Sequence, residues 1–261
     1  MLKAKKNLGQ NFLTNKETLA EIITAANIKP TDQIIEIGPG HGVLTTELVK
    51  KAEHVTAIEL DPDLIPELKV EFLNTKNFDL IHGNALDFTP PKTPYKLVAN
   101  IPYYITSPII NHFLREQPSK MRPTQIVLLV QKEVAEKICA KEGDFSVLSL
   151  QVRLFGTPTI IAKVPAEHFS PAPKVDSAIL KIDIQNPRMN ETEIMKFFKI
   201  VHVGFSHKRK KLINNLSQLA NVNKENLKTT FAKLKLDENL RAEHLTTKEW
   251  LDLLKSLGMV L

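Results

Sequence analysis

Gln33-Ile34-Ile35-Glu36-Ile37-Gly38-Pro39-Gly40-His41-Gly42-Val43-Leu44 decides how this chain is built. Its first five residues are a short apolar, β-branched run that predicts a buried strand, and Val43-Leu44 opens a helical pattern. Between them lie glycines at alternate positions. Glycine admits positive φ and lacks the Cβ that holds a ligand off the backbone. The helix start behind them adds unpaired N–H groups and a partial positive charge. This strand–turn–helix therefore suits a nucleotide-containing ligand laid against the backbone.

Dinucleotide sites space their glycines as G-x-G-x-x-G. Here the spacing is G-x-G-x-G, with Val43 where the third glycine would stand, which argues against NAD, FAD and a dinucleotide oxidoreductase. No Gly-Lys-Ser/Thr follows, so the turn is not a P-loop.

Outward from this turn, strand-like runs at 33–37, 54–60, 78–82, 96–99 and 125–130 alternate with helical patterns at 44–51, 63–74 and 107–115. Such alternation implies βαβ crossovers and a parallel sheet covered on both faces. The rhythm then changes. Runs at 148–155, 159–164 and 177–184 follow with turns and no long helix, which predicts an antiparallel end to the sheet. After Pro187 the pattern is helical throughout, at 191–205, 208–220, 224–234 and 248–257, with Asn190 and Asn223 as N-caps of the first and third. The expected fold is α/β, with a domain at 1–186 and a smaller all-helical domain at 187–261.

The formal net charge of +6 is unevenly placed. Residues 1–184 carry equal numbers of basic and acidic side chains, so the excess sits in the helical tail. A neutral front with a basic back suggests that the tail grips a polyanion, although lysine-rich helices are also simply well solvated. No run approaches the roughly 20 apolar residues of a membrane span. The start Met1-Leu2-Lys3-Ala4-Lys5-Lys6 is basic but has no apolar stretch of a secretory signal. Cys139 is the only cysteine, which excludes an internal disulfide and a cysteine-cluster metal site. A cytoplasmic protein without a metal is expected.

Glu59 ends the second strand-like run, where a carboxylate can hold both hydroxyls of a ribose. Asn84 follows the third, where a side chain can meet the exocyclic amine of an adenine. Asn100-Ile101-Pro102-Tyr103 ends the fourth. The Asn100 carbonyl and the backbone carbonyl beside Pro102 can both accept from a base N–H. Pro102 has no N–H and fixes the turn. Tyr103 offers a ring on which a base can stack. An exocyclic amine is a poor nucleophile because its lone pair is delocalised into the ring. Two acceptors that favour a pyramidal nitrogen return that lone pair for attack on a methylsulfonium. Phe169, in a proline-stiffened loop, can close the other face of a flipped base or plug the core beneath its loop.

With these residues in place, the chain resembles the ribosomal RNA adenine dimethyltransferases, and within them the small-subunit (KsgA) type. The likeness runs from Leu8-Gly9-Gln10-Asn11-Phe12-Leu13 through Glu36–Gly42, Asn100–Tyr103, Gln131-Lys132-Glu133-Val134-Ala135 and Phe169–Ser177 to Arg241-Ala242-Glu243-His244-Leu245. It implies a Rossmann-like methyltransferase sheet, S-adenosyl-L-methionine as methyl donor, and two transfers to N6 of each of two adjacent adenosines in small-subunit ribosomal RNA. It also implies a role in small-subunit biogenesis on a pre-30S particle. A monomer is expected because RNA would cover the basic surface. By the same resemblance Asn11 and Leu13 line the donor cleft, and Gly38 and Gly40 approach the donor. Glu59 holds its ribose, Asn84 its adenine, and Asn100 meets both donor and target amine. Tyr103 and Phe169 sandwich the target base, and Pro102 directly precedes Tyr103. The family usually has Asp where this chain has Asn84, which keeps an acceptor and loses its charge. Lys208, Arg209, Lys210 and Lys211, read here as part of a basic helix, resemble the family's RNA-contacting stretch. A large-subunit methyltransferase of the macrolide-resistance type and a non-catalytic assembly factor are the competing expectations.

Overall fold

The computed structural model describes residues 4–5, 8–219 and 222–258. Met1, Leu2, Lys3 and Lys6 of the basic start, and Ala220 at the end of the expected helix 208–220, lie outside them. Backbone contacts divide the chain into two compact units, Met1–Glu136 with Gly156–Gln185 and Lys137–Phe155 with Asn186–Leu261. The expected single cut between 186 and 187 thus differs from the folded chain, in which an earlier segment also joins the helical unit.

In the first unit the strands are β1 (Phe12–Leu13), β2 (Gln33–Ile37), β3 (His54–Glu59), β4 (Phe78–His82), β5 (Lys96–Asn100), β6 (Gln125–Gln131), β7 (Gly156–Val164), β8 (Phe169–Ser170) and β9 (Ser177–Ile184). Seven of them form one sheet in the order β4-β3-β2-β5-β6-β9-β7. The first five of that order run parallel, and β9 runs antiparallel to both β6 and β7. Successive strands step outward from β2 in one direction and then from β5 in the other. Loops leaving the carboxyl ends of β2 and β5 therefore diverge, and the crevice between them is where open α/β sheets bind ligands.

The interior strands are apolar because both faces are covered. Leu97, Val98 and Ala99 of β5 and Ile126 to Val130 of β6 are fully buried. The rim strand β7 carries a bulge between Ile160 and Ala162, which turns Ile161 outward and breaks a regular edge that another chain would pair with. Four helices pack on this unit: α1 (Lys16–Ala26), α2 (Val43–Val49), α3 (Ile65–Glu71) and α4 (Thr106–Asn111). Helix α1 carries no expectation above, yet its start is locally encoded. The Asn15 side chain accepts from the Thr18 N–H at 2.8 Å, and Asn27 ends the helix in a left-handed turn.

Helix α5 (Lys132–Ile138) carries the chain to the second unit, which contains α6 (Val147–Phe155), α7 (Glu191–Gly204), α8 (Leu212–Leu216), α9 (Lys224–Lys233) and α10 (Thr247–Ser256). Two expectations are corrected here. Residues 148–155 are helix, not strand. Leu148, Leu150, Val152 and Leu154 alternate as a strand would, but Ser149 and Gln151 between them are buried too, so the element is covered all round. Its start is set by Ser146, whose hydroxyl accepts from the Ser149 N–H while the Ser149 hydroxyl accepts from the Ser146 N–H. Residues 208–211 are loop, not helix. Helix α7 ends at Gly204, where only glycine fits because a Cβ would strike the Trp250 ring. The buried Asn215 amide then donates to the Gly204 and His207 carbonyls and fixes the turn. No helix among the described residues is long and apolar enough to cross a membrane.

Candidate active site

The turn after β2 forms as its glycines require. Gly38, Gly40 and Gly42 all have positive φ, and the Gly38 N–H donates across to the Ile58 carbonyl of β3 at 2.9 Å. At Gly42 an added Cβ would lie 2.7 Å from the Phe72 ring, so the absence of a side chain is a packing need. At Gly38 the nearest atom is the Asn100 carbonyl oxygen at 3.9 Å, so the space above it is open to a ligand. One pocket is lined by this turn, by the ends of β3 and β5, by the loop after β4 and by the segment Leu8–Leu13.

Two buried carboxyls face that pocket. Glu59 is 5% exposed and accepts from the Gly40 N–H at 3.2 Å and the Asp61 N–H at 2.8 Å. Burial is the larger influence and raises its pKa despite those donors. Glu36 is 1% exposed, and its Oε2 accepts from the Thr45 hydroxyl at 2.7 Å. Its Oε1 has no hydrogen-bond partner. Burial pushes this carboxyl up to about 8, with the Glu59 charge adding to the shift against the Thr45 bond.

The Leu8–Leu13 arm is held at both ends. Lys5 Nζ lies 2.6 Å from Asp61 Oδ1, and the Gln10 amide donates to Asp61 Oδ2 at 2.8 Å. Burial works against ionising Asp61, but these donors outweigh it and hold its carboxyl below the usual range. At the other end β1 pairs with β8, Phe12 opposite Ser170 and Leu13 opposite Phe169. Lys5, Gln10 and Asp61 were not singled out by sequence. Their role depends on contacts between distant segments, which no local pattern announces.

Asn11, Leu13, Gly38, Gly40, Glu59, Asn84, Asn100, Pro102 and Tyr103 all line the pocket. The Asn100 amide donates to the Asn11 carbonyl at 3.2 Å, which leaves its side-chain oxygen as an acceptor. The Tyr103 hydroxyl is 2.6 Å from Ser177 Oγ, and burial raises its pKa. Asn84 is exposed, and its side-chain oxygen accepts from the Leu86 N–H at 3.1 Å. Tyr104, absent from the sequence reading, stands 60% exposed in the pocket lining with its ring against Gly9. The doubled Tyr103-Tyr104 was the available signal.

Phe169 lies apart from this lining. Its ring is 4% exposed, belongs to the core with Leu13, Ile22 and Val164, and does not line the pocket. In the β1–β8 pair it stands opposite Leu13. In the second unit, Lys208, Arg209, Lys210 and Lys211 are all exposed on the loop between α7 and α8.

The profile of ribosomal RNA adenine dimethylases matches residues 1–258. The chain belongs to the ribosomal RNA adenine dimethylase family. It is 45% identical over 255 residues to the ribosomal RNA small subunit methyltransferase A of Dehalococcoides mccartyi strain CBDB1, covering 95% of this chain and 87% of that protein. The Clostridium botulinum strain Kyoto protein of the same name is 42% identical over 256 residues, covering 95% and 92%. Among solved structures, a dimethyladenosine transferase from Plasmodium falciparum matches with a TM-score of 0.82 at 29% identity, over 95% of this chain and 98% of that one. The 23S rRNA methyltransferase ErmE matches with a TM-score of 0.78 at 26% identity, over 95% and 100%.

Members of this family use S-adenosylmethionine, and the residues present fit it. The ligand has a cationic amino-acid end, a ribose diol and an adenine. The pocket answers with an unpartnered acidic oxygen on Glu36, open space over Gly38, a carboxylate at Glu59 and an amide at Asn84.

Proposed function

We infer that this protein transfers methyl groups from S-adenosylmethionine to N6 of two adjacent adenosines in small-subunit ribosomal RNA, giving N6,N6-dimethyladenosine. The observation that carries this reading is Asn100-Ile101-Pro102-Tyr103 at the end of β5, opening into the same pocket as the glycine turn of β2. The choice of small over large subunit is supported by the 45% identity to a small-subunit relative, against 26% to the 23S enzyme.

Bound S-adenosylmethionine supplies a methyl group activated by its sulfonium. The residues of the chain do the rest. Glu59, already gripping the Gly40 N–H, has acceptor capacity left for the ribose hydroxyls. Asn84 accepts from the adenine amine of the donor. Asn100 spends its amide N–H on Asn11, so its oxygen and the Ile101 carbonyl beside Pro102 are the acceptors for the target amine. Both favour the pyramidal nitrogen whose lone pair attacks. Tyr103 stacks on the base, its ring plane fixed through Ser177. The alkylated amine is acidic and loses its proton to solvent, so no general base of special pKa is needed.

In this reading the sheet unit carries donor and chemistry, and the helical residues from 187 onward hold folded RNA through Lys208–Lys211, contacting phosphates without reading sequence. The substrate is a pre-30S particle, the enzyme is a monomer, and it works in the cytoplasm. Purified protein with labelled donor and unmethylated small or large subunits tests this. Dimethyladenosine from small subunits alone, lost in Asn100→Ala, is expected. Label in large-subunit RNA would move the substrate to the other particle. Particle binding without label would leave an assembly factor.

A further inference from the structure

Tyr104 has no part in the chemistry described so far. Among the described residues it is the only exposed aromatic side chain, and it stands in the lining of the pocket. One edge of its ring is seated. A Cβ on Gly9 would lie 3.2 Å from Tyr104 Cε1 and 3.3 Å from Cδ1, so the arm needs glycine to run against that edge. Pro102 Cβ stands 3.4 Å from the same point. The fold thus holds a large ring in place and leaves more than half of the residue in water, although an aromatic side chain ordinarily buries roughly 150–250 Å². Tyr103 differs: it is half-buried and tied through its hydroxyl to Ser177.

The two tyrosines open one 3-10 turn, Tyr103–Ile105. Three residues per turn set successive side chains about 120° apart, so the two rings do not lie on one base. Their Cα atoms are only about 3.8 Å apart, a spacing that suits two nucleotides joined by a single phosphate. Taking one base out of a strand also strips its neighbour of a stacking partner. We propose that Tyr104 stacks on the base of the nucleotide next to the one being methylated, while Tyr103 holds the target. This deepens the reading of the pocket as an RNA adenine methylation site and rests on it. The ring lies on one side of Tyr103, so it meets the neighbour on one side of the target. With two adjacent adenosines as substrate, one of them therefore presents the other to Tyr104.

Methylation of unmethylated small subunits, at particle concentrations well below KM, reads the effect, with donor affinity measured by calorimetry. Tyr104→Ala should lower kcat/KM by about 5–150-fold, the range for losing one base–aromatic stack, and leave S-adenosylmethionine affinity as it is. Tyr104→Phe keeps the ring and should retain most of the rate. Tyr104→Leu, apolar but without an aromatic face, should not. The deciding measurement uses small subunits reconstituted with an abasic nucleotide in place of either adenosine and follows methylation of the other. On one of these two substrates Tyr104→Ala should cost no further rate, because the ring has no base left to meet. A merely structural role would give additive losses. Additive losses on both substrates would overturn the proposal and leave the methyltransferase reading intact. So would a loss confined to donor affinity, which would make Tyr104 a wall of the donor site. No methylation of small subunits by the wild-type protein would remove the target-base reading and this proposal with it.

Discussion

The hydroxyl of Tyr103 sits 2.6 Å from Ser177 Oγ, joining the loop after β5 to the first residue of β9. In the proposed mechanism this bond fixes the plane of the ring that stacks on the target base. Tyr103→Phe and Ser177→Ala keep the ring and free it, so each should lower kcat several-fold with little change in donor affinity. Tyr103→Ala removes a stacking partner worth roughly 1–3 kcal/mol per base and should cost about 5–150-fold. Single-turnover methylation of small subunits, with donor titration alongside, separates these outcomes. Equal rates for all three variants would remove Tyr103 from the target-base site.

Asn84 spends one lone pair of its side-chain oxygen on Leu86. An aspartate would keep that turn and offer a second, charged oxygen to the donor's adenine amine. Charge-assisted hydrogen bonds are roughly twice as strong as neutral ones. Asn84→Asp should therefore tighten S-adenosylmethionine by about 3–10-fold, a gain near 1 kcal/mol. Equal or weaker binding by calorimetry would mean that the amide already serves the donor as well as a carboxylate.

Burial pushes Glu36 up to about 8 in the native state, whereas an unfolded glutamate titrates near 4.3. Between those values the native protein binds a proton that the unfolded chain has released. This group's contribution is complete below about pH 4.3 and fades as pH climbs toward 8, by at most about 1.4 kcal/mol per unit. Glu36→Gln removes the slope. Denaturant unfolding of the ligand-free proteins should find wild type losing about 3 kcal/mol relative to the variant between pH 5 and pH 8. A constant difference across that range would show Glu36 ionised in the empty pocket.

Lys208, Arg209, Lys210 and Lys211 project from a loop whose position is fixed by Gly204 and Asn215. Exchanging all four for serine should weaken particle binding at low salt. The slope of log affinity against log salt should fall by about 0.7–0.9 for each phosphate that is no longer neutralised. An unchanged slope would make the cluster a solvated surface.

The sheet was legible because its central strands are apolar on both faces. The runs at 33–37, 78–82 and 177–184 coincide with β2, β4 and β9 to the residue. Helix α6 was not legible, since its apolar residues alternate as in a strand and only tertiary burial of Ser149 and Gln151 settles its form. The loop at 208–211 carries good helix formers. Its turn is held by the buried Asn215 amide on the Gly204 and His207 carbonyls, a capping contact that the local pattern does not announce. Gly38, Gly40, Glu59, Asn84 and Asn100 end or follow strands and could be found by position, whereas Asn11 and Leu13 came only from the resemblance and Gln10 and Tyr104 were missed. Phe169 could not be placed by position, because its pairing opposite Leu13 joins distant segments.

That pairing also orders events in time. The Thr14 backbone N–H and hydroxyl both donate to the His168 carbonyl, 154 residues further along the chain. During synthesis the Leu8–Leu13 wall thus leaves the ribosome long before the strand that seats it. Until Phe169 and Ser170 emerge, the arm lacks its strand partner, and its holds include those to Asp61, Asp63, His41 and Asn100. The wall of the pocket is thus completed by one of the last strands of the sheet unit to be made, although its glycine turn is among the first.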